Sequence, residues 1–362
     1  TFCNCDFLDN YCNTQSCNRY YSYSLIIHST CYMMMNNCNL NNNTINSKNN
    51  DNTELRSVLI SQSTSKDIIL NQCIMKNNRL NETSDTICEI QSGFISLIDT
   101  KGNISMVFFE NNHISYIDVT NNLIVTSGMI YFKNANLIIS SLEVNSDISS
   151  FNVNYNEAIS FYIELSYIEF NKCIFNLKSN DQVRYCDAYY LYYMNTYILK
   201  MNHCIFNMEY ETANNYYFGI IYLEITGNNE YINEFTNNMV FFSKDQNDII
   251  FIGDIDISAT SKWKMNGNCI LPYEEKYFID NDIELKNENN DILSFQNAFI
   301  EECSLLIKPS SPFSHSNKFS KTIEFSNSDT FSKSKEFSES NTFTRSDYLY
   351  LTNTFSPIQT IT

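Results

Sequence analysis

Glycine and proline are scarce in this chain, with 7 and 4 copies among 362 residues. No glycine-rich dinucleotide turn, no P-loop and no G-x-S-x-G elbow occurs, so the common nucleotide-binding and serine-hydrolase signatures are missing. The single tryptophan, Trp263, leaves out the repeated blade signature of a propeller. The four histidines, His28, His113, His203 and His315, stand apart. With no H-x-H, H-E-x-x-H or C-x-x-C spacing, they offer no zinc-ligand set, and His203 beside Cys204 reads as a solvated side chain. No cofactor is expected.

Basic residues are also few. Lys and Arg number 23 against 41 Asp and Glu, a net charge of −18. Residues 309 to 362 carry five of each sign, so the whole imbalance sits on residues 1 to 308. Such a body repels phosphate backbones, which argues against a nucleic-acid partner. No uninterrupted apolar stretch reaches about 18 to 20 residues, so the visible chain has no membrane span. Membrane association is expected only through an anchor outside it.

What is present is equally skewed: 54 Asn, 25 Tyr and 26 Phe, with 43% hydrophobic content, ample for a core. Six of the 13 cysteines fall within the first 38 residues (Cys3, Cys5, Cys12, Cys17, Cys31, Cys38). That density suggests a disulfide-linked start and an oxidising compartment. Residue 1 is Thr and nothing like a signal peptide precedes Cys3, which reads as a processed or fragmentary start.

The organising feature is a phrase, Asn-x-Cys-Ile followed by a bulky apolar residue, at Asn71 to Met75, Asn171 to Phe175 and Asn202 to Phe206. Looser versions extend it to anchors at positions 38, 73, 108, 139, 173, 204, 240, 269 and 303, spaced by 29 to 36 residues. A period in this range marks a solenoid or array. Each unit reads as two extended segments. The first is apolar, as in Gly93 to Ile98, Gly128 to Phe132, Ala158 to Ile163 and Gly219 to Leu223. The second alternates and holds the anchor, as in Tyr167 to Phe175 and Tyr197 to Phe206. Such runs, rich in Ile, Tyr, Phe and Val and bounded by Asn, Ser, Asp and Gly, are strand signals. Asn41 to Asn52 and Asn77 to Asp85 read as loops between units.

Leucine-rich spacing is absent, and an all-β, right-handed parallel β-helix fits best, with about nine coils over residues 24 to 308 and a Cys-rich cap or truncated first coil over 1 to 23. Asn71, Asn171 and Asn202 are expected to stack as a ladder in the left-handed conformation at a turn, each amide bonding to its copy above. Cys73, Cys173 and Cys204 are expected to stack inside as small apolar residues, with disulfide or metal ligation as the functional alternative. From Pro309 the pattern changes. Phe recurs every six residues from Phe313 to Phe343, each followed by Ser or Thr. That Ser/Thr/Phe-rich stretch, 309 to 362, carries too little other apolar bulk for a core and reads as a disordered or extended stalk; a hexapeptide solenoid, which lacks its turn glycines, is the other reading.

Asn-Cys-x-Phe coils followed by Phe-Ser-x-Ser hexapeptides resemble the polymorphic outer-membrane-protein-like surface proteins of trichomonad protists, relatives in fold of chlamydial autotransporter passengers. The resemblance covers about residues 24 to 347 and is most specific in the tail. The family's F-x-x-N tetrad occurs at Phe7, Phe108, Phe109, Phe151, Phe235 and Phe278, and its Gly-Gly-Ala-Ile motif survives only as Gly93, Gly128 and Gly219. The resemblance implies a surface-displayed, membrane-anchored β-helix with a role in adhesion. It transfers no binding residue.

One constellation bears on chemistry. Aligning the first strands on their starting Gly or Ala places Asp99, Glu164, Glu224, Asp254 and Asp256 at one end of successive coils, interrupted by Lys133 and Met194. Stacked carboxylates could hold Ca²⁺ or serve a polysaccharide lyase or glycoside hydrolase; the other reading is a solvated acidic face. Sequons at Asn42, Asn81 and Asn103 are glycosylation candidates. Together these features point to a noncatalytic extracellular or cell-surface module that binds a host-cell or matrix protein or a glycan. A β-helix carbohydrate-active enzyme is the alternative.

Overall fold

In the computed structural model the described residues are 1–14, 27–29, 31–47, 54–55, 59–63, 66–82, 88–90, 93–116, 123–147, 155–158, 160–183, 188–194, 197–212, 218–225, 228–242, 248–255, 260–271, 285–293 and 299–300. Among them every regular element is a strand, and every pairing between named strands is parallel. The chain divides into two units, Thr1–Cys303 and Ser304–Thr362. The expected stalk lies outside the described residues.

One coil shows the path. Ile95–Ile98 belongs to sheet I, Lys101–Ser105 to sheet II, Phe108–Glu110 to sheet III, His113–Tyr116 to sheet IV and Leu123–Ser127 to sheet V; Ile130–Lys133 then returns to sheet I, paired with Ile95–Ile98. Sheets II and III each have ten strands, sheet I eight, and sheets IV and V four. The chain is thus a parallel β-helix. At about 4.8 Å per strand a ten-stranded sheet is on the order of 40 Å long. Phe2–Cys3, Asp6–Leu8 and Tyr11–Thr14 already belong to sheets II, III and IV, each paired with the coil that follows.

The two-segment unit of the sequence reading becomes five sheets. The first segment is sheet I, and the second splits into sheets II and III, as in Tyr167–Asn171 followed by Ile174–Val183. The break is one residue in the left-handed region: Asn4, Asn37, Gln72, Met106, Ser141, Lys172, His203, Asn237 and Gly267 all have φ between 50° and 65°. The left-handed residue is therefore the one after the anchor Asn, not the Asn itself. Gln72, Met106, Lys172 and His203 are held there although the conformation costs about 1–2 kcal/mol without Gly or Asn. Each donates its N–H to the next coil, for example Gln72 to the Ser105 carbonyl at 3.1 Å and Lys172 to that of Asn202 at 2.9 Å.

The stretches read as loops also contain strands. Asn39–Asn41 and Thr44–Ser47 lie within or against the first, and Arg79–Glu82 lies in the second. Between them a second corner, sheet III to sheet IV, places Asp9, Asn42, Asn77 and Asn111 at φ 52° to 57°. A third corner, sheet I to sheet II, does the same with Asp99, Asn134 and Leu165.

Inside, the alternation of each strand aligns apolar columns. Met35, Leu70, Ile104, Ile139, Phe170, Met201 and Phe235 stack from sheet II, and Leu40, Met75, Phe109, Val144, Phe175, Phe206 and Val240 face them from sheet III. All are buried in one core. Phe161, Phe170 and Phe175 meet edge to face at 5.4–5.6 Å between ring centres, and Phe175 stacks on Phe206 at 5.0 Å. Sheet I departs from simple alternation: Tyr131 and Tyr162, stacked at 5.4 Å, are buried in a separate cluster against Ile98. Their column continues in register to Tyr192 and Tyr222.

Candidate functional site

The anchor slot is defined by one repeated hydrogen bond, in which its carbonyl accepts the N–H that begins the next coil's sheet III strand. It runs through Cys5, Cys38, Cys73, Val107, Leu142, Cys173, Cys204 and Asn238. This corrects four expected anchors: Phe108, Ile139, Val240 and Cys269 lie one to three residues from the slot. Cys38, Cys73, Cys173 and Cys204 are thiols at zero exposure. Each donates to the carbonyl three residues before the slot in the preceding coil, as Cys73 does to Met35 at 3.8 Å and Cys204 to Phe170 at 3.5 Å. In the last coils Asn takes over the slot and the same carbonyl: Asn238 donates to Met201 at 2.9 Å and Asn268 to Phe235 at 2.7 Å. Burial pushes the Cys73 thiol up to about 11 and that of Cys173 well above its ordinary value. Cys73 and Cys173 are therefore structural donors, protonated at neutral pH.

The Asn71 ladder exists in part. Asn71 donates to Asn36 in the preceding coil at 2.7 Å and accepts from Ser105 in the next. Asn171 instead turns to Glu169 on its own strand, and Asn202 accepts from Thr236. A longer ladder went unread in the sequence. At the second corner Asn10, Asn43, Asn78 and Asn112 follow the left-handed residues inward; Asn43, Asn78 and Asn112 are buried. Asn43 donates to Asn78 and Asn78 to Asn112, both at 2.8 Å, while the same amides bond to the carbonyls of Phe7 and Leu40. The repeated dipeptides Asp9-Asn10, Asn42-Asn43, Asn77-Asn78 and Asn111-Asn112 are the signal that could have found it.

The acidic column of sheet I is one residue out of the expected register at its first member. Ile98, Lys133, Glu164, Met194, Glu224 and Asp254 are consecutive partners. Asp99 lies at the corner one step on, exposed, and accepts from Asn134 at 2.6 Å. Lys133 is ion-paired with Glu164 at 2.9 Å, and the Tyr131 hydroxyl donates to the same carboxylate at 2.8 Å. Asp256 lies outside the described residues, and Asp254 is placed by its backbone alone. Among the described residues no three His, Cys, Asp or Glu side chains converge as a metal site.

Of the sequon residues, Asn42 is exposed at its corner and Asn103 is exposed in mid-strand of sheet II. Asn81 is half-buried in sheet IV, its amide donating to Asn46 at 2.7 Å. His203 is exposed at its left-handed corner.

One regular surface is the outer face of ten-stranded sheet II. Its central column runs Ile69, Asn103, Ile138, Glu169, Lys200, Glu234, Lys264, with alternating sign over the last four. Lys200 pairs with Glu234 at 2.8 Å, a hydrogen bond that raises the lysine's pKa. Beside this column, Tyr197 and Tyr231 are about half exposed and meet edge to face at 6.0 Å; Ile138 in the column and Ile232 next to Tyr231 are also exposed. Such a face offers aromatic edges, amides and charges of both signs on one parallel sheet. Compared with known proteins, the chain matches no family model and no curated protein.

Proposed function

We propose that this chain is a noncatalytic extracellular surface protein whose β-helix presents the outer face of sheet II to a ligand, as an adhesion or binding module. The observation that carries the reading is that face: exposed Tyr197, Tyr231, Ile138 and Ile232 interleaved with an amide and charge column that crosses seven strands. Exposed apolar and aromatic groups rimmed by polar ones are what binding surfaces expose. The resemblance to trichomonad surface proteins points the same way, toward a host-cell or matrix protein or a glycan and a cell-surface location. The Lys133–Glu164 pair and the Met194 interruption support a structural use of the sheet I carboxylates over a hydrolase or lyase centre. The test is a glycan array and a host-cell binding assay on the full chain, with Tyr197→Ser/Tyr231→Ser as the control for the face. Binding lost in the double variant is the expected result. Depolymerisation of a polysaccharide by the chain would instead favour the carbohydrate-active alternative.

A further inference from the structure

Four strand lysines, Lys76, Lys101, Lys133 and Lys200, each pair with the carboxylate in register on a neighbouring coil: Glu110, Asp67, Glu164 and Glu234. Lys262 and Lys264, on the outer face of Thr260–Asn266, make no ion pair among the described residues. Lys262 stands in register with Lys286, and Lys264 with Glu234, whose carboxylate is already engaged by Lys200 at 2.8 Å. Like charges on adjacent strands repel, and an anion lying across Lys262 and Lys286 would relieve that repulsion. In a chain of net charge −18 this corner of sheet II is a basic exception. The same strands aim aromatic side chains at it. Pairing slips between Asn228 with Thr260 and Ile232 with Lys262, so residues 229–231 stand opposite Ser261 alone. By strict alternation Tyr231 would face inward with Asn233; the bulge turns it out, 51% exposed, against Tyr197.

We propose that this corner is a binding site for an acidic glycan, a chain whose sulfate or carboxylate groups are separated by uncharged sugar faces; the proposal rests on the reading of sheet II as the ligand-binding face. Lys262 and Lys264 donate charge-assisted hydrogen bonds to the anionic group. The half-exposed rings of Tyr197 and Tyr231, with Ile232 in register beside Lys262, take the apolar face of a neighbouring sugar. The basic area is small: Lys262 and Lys264 lie about 7 Å apart along their strand, and the next strand is about 4.8 Å away. Carboxylates limit it, with Glu169 and Glu234 in the central column and exposed Glu288 and Asp291 in the turn after Lys286. A nucleic acid, charged at every step, would run its phosphates onto those carboxylates. A glycan with spaced charges can set its neutral sugars there instead.

The experiment measures binding of the full chain to immobilised heparin by surface plasmon resonance, beside neutral dextran and single-stranded oligo-dT, with circular dichroism to check that each variant is folded. Heparin should bind, more weakly as salt rises, and dextran and oligo-dT should not. Lys262→Gln/Lys264→Gln should weaken heparin binding about tenfold or more. Lys76→Gln/Lys101→Gln, which removes the same charge elsewhere on the rod, should leave it within about twofold. Tyr231→Ser should weaken it roughly threefold to tenfold without changing its salt dependence. No binding to heparin, equal binding of oligo-dT, or equal losses in the two lysine pairs would each overturn the proposal. A host-cell assay separates it from the reading beneath it. Binding lost in Tyr197→Ser/Tyr231→Ser but indifferent to soluble heparin and to Lys262→Gln/Lys264→Gln would sink the acidic glycan and leave the adhesion face standing. Binding untouched by the tyrosine variant would sink both.

Discussion

Replacing Asn78 by Ala should destabilise the first four coils far more than replacing Asn77, its neighbour, by the same residue. The Asn78 side chain is fully buried and serves three partners. It accepts from the Asn43 N–H at 3.1 Å and the Asn43 amide at 2.8 Å, and donates to the Leu40 carbonyl and to Asn112, each at 2.8 Å. Its removal strands two buried donors on Asn43 and one carbonyl, each costing about 1–3 kcal/mol where water cannot reach. Allowing for partial recovery by a water in the space left, the loss should be about 3–5 kcal/mol. Asn77 is instead at φ 56° and only half-buried. Asn77→Ala should cost only the left-handed penalty of about 1–2 kcal/mol, and Asn77→Gly should cost less than that. Because a stack of nearest-neighbour coils need not unfold as one unit, the assay is native-state hydrogen exchange at the amides of Asn43, Asn78 and Arg79, supported by urea unfolding followed by circular dichroism. The ladder argument fails if Asn77→Ala weakens protection as much as Asn78→Ala, or if Asn78→Ala stays within about 0.5 kcal/mol of the parent.

Thiol labelling should find Cys73, Cys173 and Cys204 unreactive until the chain unfolds, and Cys73→Ala should cost about 1–2 kcal/mol; rapid native labelling would refute their inward placement. The Cys73 thiol is raised from 9.0 to about 11, so the fold favours its neutral form: its contribution is complete below pH 9 and fades as pH rises toward 11, by about 3 kcal/mol in all. In a pH series of urea midpoints, the advantage of the parent over Cys73→Ala should shrink and reverse in that window, and stay constant below it. Calorimetry with Ca²⁺ should detect at most weak binding, and a stoichiometric micromolar site would overturn the structural reading of the sheet I carboxylates. Gly102→Ala should cost about 3 kcal/mol or more, since φ is 145° and a Cβ would fall 1.9 Å from the Ile68 carbonyl oxygen; an unchanged urea midpoint would show that sheet II can shift to admit it.

The parallel β-helix was legible because its period is written in three near-identical phrases, Asn71 to Met75, Asn171 to Phe175 and Asn202 to Phe206, whose cysteines do occupy one slot. The corners were not. A preference of Asn for the left-handed region is worth about 1–2 kcal/mol, and the stack overrides it wherever an inward slot must follow: Met106 and Lys172 take the turn because their N–H groups are claimed by the next coil. Degenerate anchors misled for a related reason. Val107 and Leu142 fill the cysteine slot with bulk instead of sulfur, and neighbouring Phe108 and Ile139 look the better match by residue type alone. The acidic column slipped on a similar detail. Gly93 and Gly128 stand five residues before the column positions Ile98 and Lys133, whereas Ala158 stands six before Glu164. Aligning on Ala158 therefore moved Asp99 into a column it does not share, since one residue of slip changes the face a strand side chain takes.

The same local chemistry explains why the cross-section changes along the rod. Through the fourth coil the residue pair after sheet III is Asp9-Asn10, Asn42-Asn43, Asn77-Asn78 and Asn111-Asn112, and each coil turns there into sheet IV. In the next three coils the register places Ser146-Asp147, Leu177-Lys178 and Met208-Glu209 at those positions. Neither Lys178 nor Glu209 could enter a dry slot without leaving a charge unpaired, and none of the three pairs supplies an inward amide to carry the ladder on. The strands accordingly run on in sheet III beyond this point, as Glu143–Asp147, Ile174–Val183 and Ile205–Thr212, with a register shift between Ser179 and Val183. The amide ladder moves to Asn145, Asn176 and Asn207, where Asn176 donates to Asn145 at 2.6 Å and Asn207 to Asn176. If a paired Asn dictates the corner, installing Asn-Asn at Leu177-Lys178 alone should fail to bend the strand, because its ladder partners at 146–147 and 208–209 would still be missing. Placing Asn-Asn in all three coils should extend sheet IV. Hydrogen exchange across 174–183 reads the difference: protection retained in the single-coil variant and redistributed in the triple one supports a cooperative corner. A bend in the single-coil variant would show instead that each coil sets its own shape.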